Sequence, residues 1–362
     1  MLHDDKSIYV TSPALAPIAE YSKLLEEVWG SGILTHNGPL VQRLENEMKD
    51  YLRVLNFTLV TSGTVALQMA IKALELKGEI ITTPFTWIAT TAAIQWENCV
   101  PRFVDVNPET LNINPNLVED AITNNTSAIL GVHVFSNPCQ IEDIDQIAKA
   151  NNLKVIYDAA HAMCVNFQGR SIMEYGDISA TSFHATKLFN TAEGGACITV
   201  NNELADRLKR LRFFGYDNNK QIVDIGFNGK MTEIHAALGL VNLKYLDDVL
   251  NDRKRIFDTY FNQLKDLEFI RWQKFDINSY NYSYLPLIFD SEERMLRIKS
   301  KLNEKNIFPR RYFFPSLNTL SIVNNTRSLP QSEKLAKTIL CLPSYYKLLE
   351  DDISEICEII KR

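Results

Sequence analysis

Between Asn56 and Val200 the chain alternates between short apolar runs and stretches with apolar residues at helical spacing. "FTLVTS", "GEIITTP", "CVPRFVDV", "TSAILGVHVF" and "LKVIYDA" read as buried strands. Between them "GTVALQMAIKALEL", "WIATTAAIQWE", "LVEDAITNN" and "QIEDIDQIAKANN" read as helices. Val/Ile-rich strands separated by helices predict an α/β fold whose mostly parallel sheet is covered on both faces. "ACITV" after Gly195 is a further candidate strand.

The pattern changes after Thr232. "EIHAALGLVNLKYLDDVLNDRKRIFDTYFNQLKDL" reads as one long, charge-rich connecting helix, and the last hundred residues mix strand and helix signals. A large domain over 1–245 and a smaller C-terminal α+β domain over 246–362 are expected. A chain of 362 residues, 46% hydrophobic, can fill both cores.

A net charge of −6 and a pI near 5.6 argue against nucleic acid or an anionic membrane as partner, while leaving room for a small anion in a local positive pocket. The cysteines at 99, 139, 164, 197, 341 and 357 form no C-x-x-C pair, so neither a disulfide framework nor a zinc site is expected. "MLHDDKSIYV" lacks a basic region followed by an apolar run, and no apolar stretch approaches ~18 residues. The expectation is a soluble, cytoplasmic protein.

In open α/β sheets ligands gather at the carboxyl ends of the strands. After "FTLV" comes "TSGT", with Gly63 and Thr64 leading into a helix. Its amides and partial positive charge suit a phosphate, although a plain capped helix start has the same residues. Trp87 follows the next strand, as a core residue or as a plate for a flat ring. Asp158 ends a strongly apolar strand, as a helix N-cap or as the partner of a protonated ring nitrogen; His161 is one turn on. In "TSFHATKLFNTAEGGA" Lys187 stands in uncharged surroundings after Ser182 and His184. A lysine out of water has a lowered pKa and can form a Schiff base with an aldehyde; a snorkelling lysine is the alternative. Phosphate cradle, stacking aromatic, ring-nitrogen acid and buried lysine together are the requirements of pyridoxal 5′-phosphate.

"TSGTVAL", "TPFTWIATTAAI", "YDAAHA", "TSFHATKLFNTAEGGA" and "GFNGKMTEIHAALGL" resemble the pyridoxal-phosphate-dependent sugar aminotransferases of the DegT/DnrJ/EryC1/StrS family. That resemblance implies the aspartate aminotransferase (type I) fold and a homodimer with shared active sites. It implies Lys187 as the Schiff-base lysine and general acid/base, Asp158 as partner of the pyridine nitrogen, Trp87 stacking on the ring and His161 near the phenolic oxygen. Gly63, Thr64 and Ser182 match the phosphate site. Asn228 matches an asparagine that reaches the cofactor phosphate of the neighbouring subunit.

The same resemblance implies transfer of the amino group of L-glutamate to a keto-sugar nucleotide, with pyridoxamine 5′-phosphate as the intermediate cofactor form. The preferred acceptor is C4 of dTDP-4-keto-6-deoxy-D-glucose, for deoxyamino-sugar biosynthesis of the O-antigen type. A C3 aminotransferase, a sugar dehydratase or lyase, and a non-enzymatic ligand sensor remain alternatives. His184 is expected near the substrate. On sequence grounds Arg310 and Arg311 in "FPRRYFFP" are candidate contacts to the diphosphate, Tyr312 and Phe313 candidates to line the sugar or base, and Lys230 in "GFNGKM" a further candidate contact; a surface loop with a basic pair is the alternative for the first segment.

Overall fold

The computed structural model describes residues 7–323 and 327–362; the first six residues of the segment read for a leader lie outside them. A seven-stranded sheet organises the first two hundred residues. Its strands, in spatial order, are Asn56–Val60, Gly195–Thr199, Ile178–Ser182, Lys154–Asp158, Thr126–Val132, Glu79–Thr82 and Val100–Phe103. The strand Gly195–Thr199 is antiparallel to both neighbours; the other pairings are parallel.

Successive side chains of a strand point to opposite faces, and the two cores sort accordingly. Ile81, Ile129 and Tyr157 belong to one apolar cluster, with Leu44, Met48 and Leu240. Their chain neighbours Ile80, Leu130 and Ile156 belong to the other, with Met69, Ala70 and Ile94. Each fully buried Ile or Leu contributes about 1.5–3 kcal/mol relative to exposure, so both faces must be covered by helices. This is why the apolar runs of the sequence are continuous rather than alternating.

Two expected elements differ. "LVEDAITNN" yields only a short helix, Pro115–Val118, and a 3₁₀ turn, Glu119–Ala121, because Thr123–Thr126 closes as a turn with Thr126 N–H on the Thr123 carbonyl at 3.0 Å. The single connecting helix is two, Glu233–Leu243 and Leu246–Leu264. The break falls where Lys244 Nζ lies 2.8 Å from Glu20 Oε2 and the Tyr245 hydroxyl binds the other Glu20 oxygen. The first of the pair is buried nearly all round, whereas the second buries one stripe, Val249, Ile256, Tyr260 and Leu264.

Beyond residue 264 a three-stranded antiparallel sheet, Ile270–Trp272, Pro286–Phe289 and Ile339–Cys341, packs against the helices Glu292–Asn303 and Glu350–Lys361. The N-terminal arm ties this part to the large sheet. Ile8–Tyr9 pairs in parallel with Ile307–Phe308. A few residues later the Ala14 carbonyl accepts from Asn190 Nδ2 (2.9 Å) and Ala16 N–H donates to Asn242 Oδ1 (3.0 Å). No described helix is long and apolar enough to cross a membrane.

Candidate active site

The turns that follow the strands Asn56–Val60, Glu79–Thr82, Lys154–Asp158 and Ile178–Ser182 open on one cavity of about 280 Å³. One end is the first turn of the helix Gly63–Ala73. Ser62 is its N-cap, with Oγ accepting from Val65 N–H at 3.2 Å. The turn lies directly on the strand that carries Ser182: a methyl group on Gly63 would sit 2.7 Å from Ser182 Cβ. Only glycine permits that approach, which puts Gly63, Thr64 and Ser182 together on the cavity wall. The same residues that cap the helix leave its first amides at the cavity, so a capped helix start and a cradle for an anion are compatible here.

Trp87 is 50% exposed, not part of the core, and its indole faces the cavity. Asp158 is 8% exposed at the end of its strand. Its Oδ2 accepts from the Thr90 hydroxyl (2.9 Å) and Oδ1 from Ala160 N–H (3.1 Å). Burial raises its pKa, opposed by those two donors and by Lys187. His161 is equally buried. Its Nδ1 accepts from Phe135 N–H at 3.3 Å, which leaves the ring proton on Nε2. Its ring stacks on Phe135 and Phe313, and burial holds its pKa well below the usual histidine range.

Lys187 sits one turn past the strand end, its N–H on the His184 carbonyl at 2.9 Å. The side chain lines the cavity, and Nζ donates to the Tyr284 hydroxyl at 3.2 Å. Burial lowers its pKa; the Asp158 carboxylate works in the opposite direction. Burial of this kind favours the neutral amine relative to an exposed lysine.

His184 lines the cavity at an exposed position. Thr186 N–H donates to its Nδ1 (3.2 Å), and Nε2 lies 3.6 Å from Glu193 Oε1. Tyr312 and Arg310 complete the wall, with the Arg310 guanidinium over both the Trp87 and Tyr312 rings. Arg311 does not join it. Its Nη2 binds Glu292 (2.7 Å) and the Lys337 carbonyl (3.1 Å), because alternate residues of an extended segment face opposite ways. Asn228 and Lys230 also lie off the wall of this chain's cavity. Lys230 Nζ donates to Asn228 Oδ1 at 2.5 Å over the Phe213 and Phe214 rings. Their loop is nevertheless next to the turn before the helix Gly63–Ala73, since Thr61 N–H donates to the Gly229 carbonyl at 3.1 Å.

Three wall or support residues have no signature in the sequence reading: Thr90, Glu193 and Tyr284; Phe313, read with Tyr312 as a lining residue, is on the wall. Thr90 was within reach, being one helical turn beyond Trp87. Tyr284 comes from a distant part of the chain and carried no local signal.

The residues present fit pyridoxal phosphate. Asp158 is a buried carboxylate with no cation at ion-pair distance among the described residues, and an uncompensated buried charge requires a partner. A protonated ring nitrogen meets that need. The helix start at Gly63 and the Ser182 hydroxyl suit the phosphate, Trp87 the ring face, and Lys187 the aldehyde.

Comparison with known proteins shows the family. The model of the DegT/DnrJ/EryC1/StrS aminotransferase family matches residues 17–361. The chain is 39% identical to a dTDP-4-amino-4,6-dideoxy-D-glucose transaminase of Shigella dysenteriae, over 99% of each protein. Its structure is similar to that of DesI, solved in the presence of its TDP-sugar product: TM-score 0.93, 31% identity, 99% of this chain and 93% of that one. It is also similar to NtdA of Bacillus subtilis, solved with bound PMP: TM-score 0.87, 29% identity, 95% and 82% covered.

Proposed function

The chain belongs to the DegT/DnrJ/EryC1/StrS aminotransferase family, and from that membership we propose that it transfers the amino group of L-glutamate to C4 of dTDP-4-keto-6-deoxy-D-glucose. The reaction class is carried by one observation: Lys187, Asp158 and a helix N-terminus, drawn from three separate strand ends, line a single cavity. The choice of sugar rests on the 39% identity to the Shigella enzyme across the whole chain.

Pyridoxal phosphate, when bound, withdraws electrons from the carbon bearing the amino group and so lets its proton leave. The part of the chain up to residue 245 holds it, and the part from 246 supplies Tyr284, Arg310 and Tyr312. Gly63, Thr64 and Ser182 bind the phosphate. Trp87 covers the ring, His161 lies beside the ring's oxygen substituent, and Asp158 keeps the ring nitrogen protonated. Lys187 moves the proton, taking it from the α-carbon of glutamate and later delivering one to the sugar carbon. Glutamate departs as 2-oxoglutarate. Arg310 and Tyr312 meet the sugar nucleotide, with His184 beside the sugar.

Two chains complete each site in this reading, with Asn228 and Lys230 reaching the phosphate end of the partner's cavity. Exposed Phe214, Ile222, Val223 and Ile225 near that loop support an interface there. The setting is the cytoplasm, and the product feeds an O-antigen or similar glycan.

The test is incubation of the protein with pyridoxal phosphate, glutamate and each keto-sugar nucleotide, reading products by mass and NMR. A 4-amino-4,6-dideoxy sugar with release of 2-oxoglutarate is expected. A 3-amino product would select the C3 reading, and loss of water without amination the dehydratase.

A further inference from the structure

Among the described residues, the Tyr284 hydroxyl is the hydrogen-bond partner of the Lys187 amine, at 3.2 Å. The two residues are 97 apart in sequence and come from different parts of the fold. Lys187 follows the strand Ile178–Ser182 of the large sheet; Tyr284 precedes the strand Pro286–Phe289 of the small one. The contact therefore depends on how the two parts are assembled.

Everything around Tyr284 fixes its hydroxyl. The residue is 8% exposed. Its ring lies 4.3 Å from the His161 ring, 5.4 Å from Phe135 and 5.9 Å, edge-on, from Tyr312. Its carbonyl accepts from the Tyr280 hydroxyl at 3.1 Å. Burial pushes the phenol well above its usual pKa, so it is protonated at neutral pH. A protonated phenol can accept from an ammonium and donate to a neutral amine. It is thus a partner for Lys187 in either charge state. The lysine stem, by contrast, is flexible and its amine needs an anchor whenever it is free.

We infer that Tyr284 is a positioning residue for Lys187: its hydroxyl holds the free amine on the cavity wall beside His161 while that amine exchanges protons. This rests on the reading above, in which Lys187 is the proton-moving group. It adds that the C-terminal part of the chain sets the placement of a lysine carried by the large sheet.

The test compares the wild-type holoprotein with Tyr284→Phe and Tyr284→Leu. Phe keeps the packing of the ring against His161 and Phe135, and so keeps the fold; Leu removes both ring and hydroxyl. In the first measurement, apoprotein is mixed with pyridoxal phosphate, and the rate at which cofactor becomes fixable on the Lys187 peptide by borohydride is followed by mass. In the second, holoprotein is mixed with glutamate, and the loss of visible absorbance is followed in a single turnover across glutamate concentrations. Tyr284→Phe is expected to slow both by at least about 10-fold, since small misplacements of a reacting group are costly. Its half-saturating glutamate should stay within about 2-fold of wild type, and Tyr284→Leu should lose at least as much.

Wild-type rates in Tyr284→Phe, with loss only in Tyr284→Leu, would overturn the inference and leave a packing residue. A rise in half-saturating glutamate without a fall in maximal rate would also overturn it, since that marks a substrate contact. Failure of wild type to fix cofactor on Lys187 would instead overturn the underlying reading, which separates the two.

Discussion

Arg310 lays its guanidinium 5.4 Å from the centre of the Trp87 ring, at the cavity wall. Its neighbour Arg311 is spent on Glu292 and the end of the helix Pro330–Thr338. Substituting each therefore has a different consequence. Arg310→Gln is expected to raise KM for the sugar nucleotide about 10-fold or more, the loss of roughly 1.4 kcal/mol of binding, without lowering the melting temperature. Arg311→Gln should leave KM unchanged and cost about 1–2 kcal/mol of stability. Steady-state kinetics and denaturant melts of the two variants check this; equal effects on KM would refute the assignment.

Asp158 accepts from Thr90 and Ala160 in a buried site, which holds its carboxylate in one orientation. Asp158→Asn keeps the shape but cannot keep a ring nitrogen charged. A loss of at least about 10²-fold in kcat is expected, with KM for glutamate changed little. A rate near wild type would exclude the role given to this residue.

His133 is fully buried, stacked 4.6 Å from the Tyr157 ring, with its Nε2 unpartnered. Burial lowers its pKa to about 3 from 6.5. Between those values the unfolded chain binds the extra proton and the folded one does not, so stability falls as pH drops through that window. His161 acts in the same direction and Asp158 in the opposite one. Melting temperature should decline from pH 6.5 to 4, and His133→Phe, which keeps the ring stack, should flatten the slope. Parallel slopes would contradict the account.

Asn228 lies off its own chain's cavity wall, so its role can be tested by mixing. Lys187→Ala and Asn228→Ala chains are each expected to be nearly inactive. Unfolded together and refolded in equal amounts, they should recover about a quarter of wild-type activity: in the proposed shared-site dimer half the dimers would be mixed, each with one intact site. No recovery on mixing would place Asn228 in its own chain's site or in none.

The sheet was legible because each strand, turn and helix is contiguous in sequence. "FTLVTSGT" contains a strand, an N-cap and a helix start in eight residues, and the same holds for "LKVIYDAAHA". The site was legible to the extent that it lies on those turns. Tyr284 was not, because its function depends on the packing of a separate sheet. Arg310 and Arg311 could not be separated, since only the direction of the backbone at that point decides which one meets the cavity. Trp87 was ambiguous for a related reason: whether an aromatic at a helix start is covered depends on what packs over it. At the break at Lys244–Tyr245 both residues contact Glu20, more than two hundred residues earlier, a pairing no local pattern announces.

The account as a whole requires that the amine of Lys187 carry the cofactor. Borohydride reduction of the holoprotein, followed by proteolysis and mass spectrometry, measures this directly. The mass of the reduced cofactor is predicted on the peptide containing Lys187, with loss of the visible absorbance. The same mass on another lysine, or on none, would contradict it.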